Sequence, residues 1–323
     1  MNLSTVYMGL KLRNPLVVGS SGLTGSVDKA KQCADAGAGA LVLKSIFEEQ
    51  IESDLGQISE NSWYPEAVNY INAYGSDNAV SEYLKLLEET RRAVDIPVIP
   101  SIHCFGKGDW TGYAKKLESS GASGIELNAF ILSSDPRRRG RDNENTILDI
   151  VTDIKSQVSI PVGVKIGPHF SSISAFAQEL DGGTGVDALV LFNRFFRIDF
   201  DIENLKVKDG THFSTPDETE EVLRWVSIIS PITACDICST TGVHDGEAVI
   251  KHILAGSQAV QICSALYKSG FGIMSVMLGF MADWMRRHNY NTIEDFRERL
   301  SQRNSGNPAE FERVQFMKTS VKA

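Results

Sequence analysis

The sequence predicts an α/β fold, a closed (β/α)8 TIM barrel, on three observations. Apolar, β-branched runs recur along the chain, each followed by a polar or glycine-bearing loop and then a helical pattern, as in βα units around a parallel sheet. The runs number about eight, as a closed barrel requires. Glycines recur where one helix should stop before the next buried strand.

Strands are expected near Pro15–Ser20, Ala40–Ser45, Val98–His103, Gly124–Leu127, Val162–Ile166, Ala188–Phe192, Ile232–Ile237 and Ala259–Ile262. Helices are expected where apolar residues fall three and four apart, as in Val80–Val94, with Tyr83, Leu86 and Leu87, and in Thr219–Ile229. The stops are Ala36-Gly37-Ala38-Gly39, Ser120-Gly121-Ala122-Ser123-Gly124 and Leu254-Ala255-Gly256. An open doubly wound sheet uses the same units, but no Gly-x-Gly-x-x-Gly turn follows the first strand, and the barrel is the better reading.

Long connections interrupt the alternation at Phe47–Asp77 after the second strand and Arg194–Glu218 after the sixth, with a shorter one at Phe130–Asn145 after the fourth. Insertions of that length at the functional face of a barrel shape or cover a site. No linker rich in Pro, Ser or Gly separates domains, so residues 1–323 read as a single barrel domain with a polar C-terminal extension from about Asn304.

Composition narrows the function classes. With 42% hydrophobic and 23% charged residues the chain can bury a large core, which excludes disorder. The balance of 32 basic against 41 acidic residues, a formal charge of −9, offers nucleic acid and anionic lipid no general attraction. No apolar run is long enough to span a bilayer and Met1–Leu10 lacks the pattern of a secretory signal, so a cytoplasmic protein is expected, with neither nucleic acid nor membrane as partner. The five cysteines are odd in number and scattered. Cys235 and Cys238 stand three apart, on opposite faces of a strand, which favours buried thiols over a metal site.

The strand ends carry the chemistry. Ser20-Ser21-Gly22, Lys44-Ser45, Asn128, Lys165 and Asn193 are polar groups that a merely structural barrel does not need, at the end where barrel enzymes keep their active sites. A lone lysine there is usually a snorkelling surface group, but two, from the second and fifth strands, favour convergence on an anionic or electron-rich ligand. Ser239-Thr240-Thr241-Gly242 and Cys263-Ser264-Ala265, after the seventh and eighth strands, are small, hydroxyl-bearing and followed by helices, so their backbone N–H groups can cradle a phosphate. Small residues also serve as ordinary helix caps, so that signal is weak alone.

Over nearly its whole length the chain resembles the dihydroorotate dehydrogenases, particularly the soluble class 1 members. The segments that carry the likeness are Asn14-Pro15, Ser20-Ser21-Gly22, Ala40-Leu41-Val42-Leu43-Lys44-Ser45, Ile125-Glu126-Leu127-Asn128, Gly163-Val164-Lys165 and Gln261-Ile262-Cys263-Ser264-Ala265-Leu266. The resemblance implies an FMN-binding barrel that oxidises dihydroorotate to orotate, a step of pyrimidine biosynthesis, by proton abstraction and hydride transfer to flavin. It implies that Ser20, Ser21, Lys44, Ser45, Asn128 and Lys165 line the isoalloxazine and ribityl, with Thr241, Gly242, Cys263 and Ser264 around the phosphate. Lys44 would polarise flavin or substrate, and a lysine at the flavin N1/O2 edge, Lys165, would stabilise the charge that develops on reduction. Asn72, Asn128 and Asn193 match asparagines that hold the pyrimidine, whose imide suits a side chain offering both donor and acceptor. The resemblance also implies a homodimer and leaves open an iron–sulfur electron-transfer subunit.

Departures from the family pattern fall near the chemistry. Class 1 members place a catalytic cysteine three residues after the strand-four asparagine, then Pro-Asn, whereas here the count lands on Ile131, then Leu132 and Ser133. Isoleucine cannot abstract a proton. With a loop two or three residues longer, Ser133 or Ser134 takes that place, as serine does in the membrane-bound class; the other reading is a loop serine capping a turn. A double glycine expected after the seventh strand is Thr241-Gly242, and a serine expected beside Asn193 is Arg194. These changes admit an alternative, an FMN-dependent paralogue acting on another cyclic amide or enone, or a flavin-binding barrel without dihydroorotate turnover. Arg137-Arg138-Arg139-Gly140-Arg141 reads as a solvated loop or as a lure for an anionic substrate or acidic electron-transfer partner, and His103 as a structural histidine.

Overall fold

Eight parallel strand positions, short and rich in valine, leucine, isoleucine and alanine, form the central sheet of the computed structural model, which describes residues 1–47, 79–104 and 110–314. The first strand is Leu16–Val18. The second comes in two pieces, Ala40–Val42 and Ile46–Phe47, and so does the third, Val98–Ile99 and Ser101–Cys104. Pro100, between the latter pieces, has no N–H for the ladder. Ile125–Ala129, Val162–Ile166, Ala188–Leu191, Asp236–Ser239 and Ala259–Ile262 follow.

The pairing closes the circle. The first pieces of strands two and three pair (Leu41 with Val98), as do the second pieces (Ile46 with Ile102), and the eighth strand returns to the first (Val260 with Leu16). The expected (β/α)8 barrel is therefore the observed architecture.

Alternation along each strand separates two environments. Leu127, Val164, Leu189 and Ile237 face the helical layer, where they join one apolar cluster, and Leu16, Leu41, Val260 and Ile262 join another. Val17, Ala40, Val42, Ile99, Ala188, Val190, Cys238 and Ala259 form the barrel interior. That interior is plugged by an antiparallel hairpin of Thr5–Tyr7 and Leu10–Leu12, which sends Tyr7, Met8 and Leu12 into it. Each such buried side chain contributes roughly 1.5–3 kcal/mol. The Met8 N–H donates to Asp236 Oδ2 (2.7 Å), tying the plug to the start of the seventh strand. With the N-terminal end filled, the opposite end is left to the functional loops.

The helical layer follows the amphipathic pattern. The first predicted helix is observed at Ala79–Ala93, burying Tyr83, Leu87 and Thr90, and the second at Thr219–Ile229, burying Val222, Val226 and Ile229. Gly37, Gly121 and Gly256 have positive φ, as expected of helix stops.

Most strand ends shift by a residue or more from expectation, and two of the shifts bear on the site. The seventh strand starts at Asp236, not Ile232: Ser230–Ile232 is a 3-10 turn containing Pro231, and the Asp181 carboxylate accepts from the N–H groups of Ala234 and Cys235 before the ladder begins. Cys235 thus precedes the strand, Cys238 lies within it, and burial pushes both thiols up. The fourth strand runs on to Ala129, which places Asn128 inside the ladder opposite Lys165.

The insertions also acquire detail. The one after the sixth strand contains a β-hairpin, Ile198–Asp201 with Lys206–Asp209, and the 3-10 turn Pro216–Glu218. The one after the fourth is shorter than expected, because the helix Gly140–Lys155 has begun by Arg141. All but Phe47 of the insertion after the second strand lies outside the described residues, Asn72 included. At the C-terminal end, Pro308–Glu312 forms a 3-10 turn.

Candidate active site

Polar residues occupy the barrel interior just below its C-terminal rim. Glu126, Lys165 and Gln261 come from the fourth, fifth and eighth strands, so they can meet only across the interior. Lys165 Nζ donates to Gln261 Oε1 (3.1 Å), Gln261 Nε2 donates to Glu126 Oε2, and Glu126 Oε1 lies 4.0 Å from Nζ. Glu126 is 2% exposed. Burial pushes its carboxyl up, against the Lys165 charge and the Gln261 hydrogen bond. The network fixes the Lys165 ammonium at the floor of the site.

A hydroxyl chain lies beside it. Ser20 Oγ is 3.0 Å from Ser45 Oγ and accepts from the Ser45 N–H (2.9 Å), and Ser45 Oγ is 2.8 Å from Ser101 Oγ. The Ser101 N–H donates to Tyr83 Oη (2.9 Å), anchoring the chain in the helical layer. Ser21 caps a short turn by accepting from the Leu23 N–H and hydrogen-bonds Cys263, whose thiol is pushed up by burial against the Ser21 bond and the Lys165 charge. Asn193 Nδ2 donates to Asn128 Oδ1 (2.6 Å), joining the fourth and sixth strand ends.

The loop after the seventh strand turns sharply, with φ of 81° at Thr241 and 78° at Gly242. Thr241 Oγ1 donates to the Phe192 carbonyl (3.1 Å), and the Gly242 N–H to Ser214 Oγ (3.4 Å). The Ser214 N–H donates to Ser264 Oγ (3.0 Å), and its carbonyl accepts from Lys268 Nζ (2.7 Å). Ser214, from the sixth-strand insertion, thus pins the seventh and eighth loops together. A Cβ on residue 242 would lie 2.3 Å from the Thr219 nitrogen, so only glycine fits there.

These elements surround a cavity of about 350 Å³ lined by Ser20, Lys165, Asn193, Thr241, Gly242, Cys263 and Ser264 among others. Seven of the residues expected at the site therefore share one wall. Ser45 joins them through Ser20, Asn128 through Asn193, and Ser21 through Cys263. Lys44 does not line that cavity: it is exposed, with Cδ against Gly25.

Ser133 lines a second cavity of about 210 Å³, beside Ile131, Asn143, Glu144 and His169. Its Oγ accepts from Asn143 Nδ2 (2.9 Å), an amide that cannot take its proton. Ser134 is exposed. Phe195 bridges the two cavities, stacked on His169 (4.6 Å between centroids) and tilted against Phe130 (4.3 Å). The arginine-rich loop is mostly engaged locally, Arg137 with Asp135 (3.0 Å), Arg138 with Thr146 and Arg141 with Glu179 (2.6 Å). His103 sits against the Phe47 ring, and burial pushes its imidazole down to about 4.

Sequence reasoning missed Glu126, Gln261, Ser214 and Glu218. The first two had a signal, a charged or amide side chain inside an otherwise apolar strand. Ser214 and Glu218, inside a long insertion, had none.

Fold and cavity together define a (β/α)8 barrel with a cation-lined cavity at its C-terminal rim. The family model described as dihydroorotate dehydrogenase matches residues 2–283. Similar proteins include the dihydroorotate dehydrogenase B (NAD(+)) catalytic subunits of Thermoplasma volcanium, 30% identical over 91% of this chain and 97% of that one, and of Methanocaldococcus jannaschii, 28% over 91% and 96%. The chloroplastic dihydropyrimidine dehydrogenase (NADP(+)) of Arabidopsis thaliana is 24% identical over 92% of this chain and 76% of that one. The chain belongs to the dihydroorotate dehydrogenase family, a family of flavin-dependent oxidoreductases. No helix among the described residues is long and apolar enough to cross a membrane.

Proposed function

We propose that the chain is an FMN-dependent dehydrogenase that oxidises dihydroorotate to orotate. The observation that carries this reading is the cavity itself. Lys165, Arg194 and Arg197 line it with no carboxylate among its lining residues, and it ends in the tight Thr241-Gly242 turn. Its volume of about 350 Å³ is that of a small-molecule site, for which ~300–1,000 Å³ is usual. That donor set fits a planar, anionic cofactor carrying a phosphate. Thr241, Gly242, Cys263 and Ser264 would hold the phosphate, and Ser20, Ser21, Lys44, Ser45, Asn128 and Lys165 the ring and ribityl. Bound FMN would supply the two-electron acceptor.

The protein's own groups do the rest. Lys165, fixed by Gln261 and Glu126, stabilises negative charge at the cavity floor. Asn128 and Asn193, with Asn72 from the second-strand insertion, hold the pyrimidine edge, and Lys44 polarises flavin or substrate. The proton leaves to the hydroxyl oxygen of Ser133 or Ser134, both exposed, as that hydroxyl passes its own proton to water. Ser133 needs an acceptor of its own for that step, because Asn143 is a donor to it.

A second reading keeps the flavin and changes the substrate to another cyclic amide or enone. Ile131 at the position of the expected base favours it, and one relative is named a dihydropyrimidine dehydrogenase. Anaerobic addition of dihydroorotate to the FMN-loaded protein separates the readings. Loss of visible flavin absorbance supports the first. Loss only with other dihydropyrimidines supports the second, and none with any of them leaves a flavin-binding barrel without turnover.

Alongside this reading we place a cytoplasmic homodimer. Ile198, Phe200 and Val207 on the sixth-strand hairpin are exposed and share one face, Phe200 standing opposite Val207, and Ile202 and Leu205 are exposed in the turn between the strands. The other face pairs Asp199 with Lys208 and Asp201 with Lys206. A second copy would cover the apolar face. Relatives named as catalytic subunits support a further subunit, and an iron–sulfur electron-transfer subunit is the candidate proposed for it.

A further inference from the structure

The cavity wall holds a guanidinium that its protein contacts do not satisfy. Arg194 stands where the resemblance implies a serine. Its Nε donates to Glu218 Oε2 (2.8 Å), and its Nη1 donates to the carbonyls of Thr211 (3.0 Å) and His212 (3.1 Å). Those three bonds fix the plane of the group. Nη2 is buried and has no hydrogen-bond partner within the protein, and Arg194 is a lining residue of the cavity. A buried donor of a charged group left unpaired is costly, and native proteins rarely keep one without a use.

The charge around it is also unbalanced. Arg197 Nη2 donates to the same Glu218 oxygen (2.8 Å), and the other oxygen accepts from the Thr215 N–H (3.0 Å). Burial would raise the Glu218 carboxyl, but the Arg194 and Thr215 hydrogen bonds and the two arginine charges outweigh it and hold the group low. Two guanidiniums thus share one carboxylate, which leaves a positive charge uncompensated within the triad. Lys165 lines the same wall, its own charge faced by Glu126 at 4.0 Å, and no lining residue of the cavity is acidic.

We propose that Arg194 is an oxyanion receptor, with Nη2 donating to a carboxylate or phosphate oxygen of the molecule bound in the cavity. The inference rests on the reading of that cavity as a flavin and pyrimidine site, and deepens it by naming the group that recognises the anion. A planar guanidinium held on two sides meets an oxyanion already oriented. The anion comes either from the phosphate of FMN or from the carboxylate of the pyrimidine.

Two pairs of probes distinguish the sources. Calorimetric titration of the flavin-free protein compares FMN with riboflavin, and titration of the FMN-loaded protein compares orotate with uracil. In Arg194→Gln the receptor role predicts that one anionic probe weakens by about tenfold or more while its neutral counterpart stays within about threefold. Loss confined to FMN assigns the phosphate, and loss confined to orotate assigns the carboxylate. Equal weakening of anionic and neutral probes makes Arg194 a structural strut and overturns the proposal, as does no weakening of any. If Arg194→Gln gives no cooperative melting transition, Arg194→Lys is read by the same ratios. A wild-type protein that binds neither FMN nor riboflavin overturns the cofactor reading first, a result separate from any ratio.

Discussion

Glu126 and Gln261 fix the position of Lys165, and the sequence signals their presence but not their contact. Lys165, Asn128 and Asn193 were legible because each follows an apolar run at a strand end, where a barrel keeps its chemistry. Glu126 and Gln261 sit within such runs, and their meaning depends on a contact across the interior between residues 135 apart in sequence. Local pattern carries no trace of that distance. His252 shows the same limit. Its Nε2 lies 2.9 Å from Thr219 Oγ1, and complete burial, aided by the Lys251 charge, pushes its imidazole down to about 3. An unfolded histidine titrates near ~6.5, so below that pH the unfolded chain takes up a proton that the folded protein refuses. Stability is therefore lost as pH falls from about 6.5 toward about 3, on the order of a few kcal/mol in full. Urea unfolding at pH 7.5, 6 and 5 should show this decline in the wild type and a shallower one in His252→Gln. Parallel declines would mean that burial of this imidazole does not set the slope.

Elements were read more accurately at their centres than at their ends. The helix at Thr219–Ile229 falls where its three-four spacing puts it, while the seventh strand starts four residues late. The cause lies outside the segment, in the Asp181 carboxylate that takes the N–H groups of Ala234 and Cys235. The Thr241-Gly242 turn was legible as a small, hydroxyl-bearing loop, but its contact with the Thr219 backbone was not. That contact makes Gly242→Ala a sharp test. The new methyl group meets the Thr219 nitrogen at 2.3 Å and sits at a φ of 78°, so either the loop or the following helix must move. A loss of about 2 kcal/mol or more is expected in denaturant midpoint, together with weaker FMN binding. Wild-type stability and affinity in this variant would contradict the packing described for the loop.

At the scale of the whole molecule the barrel was legible because the repeat is strong. Eight buried runs, three of them preceded by a glycine-bearing helix stop, leave few other ways to bury them. The plug hairpin at Thr5–Tyr7 and Leu10–Leu12 leaves little pattern in the sequence because its strands are three residues each. The second hairpin lies inside a long insertion, where the alternation of Ile198, Phe200 and Ile202 with Asp199 and Asp201 is its one sequence mark. If a second copy covers the hairpin's apolar face, sedimentation equilibrium at micromolar concentration gives a dimer, and Phe200→Asp with Val207→Asp gives a monomer with an unchanged circular dichroism spectrum. A monomeric wild type would remove the hairpin as a dimer contact.

The chemistry proposed for the cavity is tested most directly by anaerobic titration of the FMN-loaded protein with dihydroorotate, followed in the visible flavin spectrum. A dihydroorotate dehydrogenase loses its flavin absorbance in proportion to the substrate added, and orotate appears in equal amount. A spectrum that dihydroorotate leaves unchanged, in protein whose flavin a chemical reductant still bleaches, would contradict that function while leaving the flavin site intact.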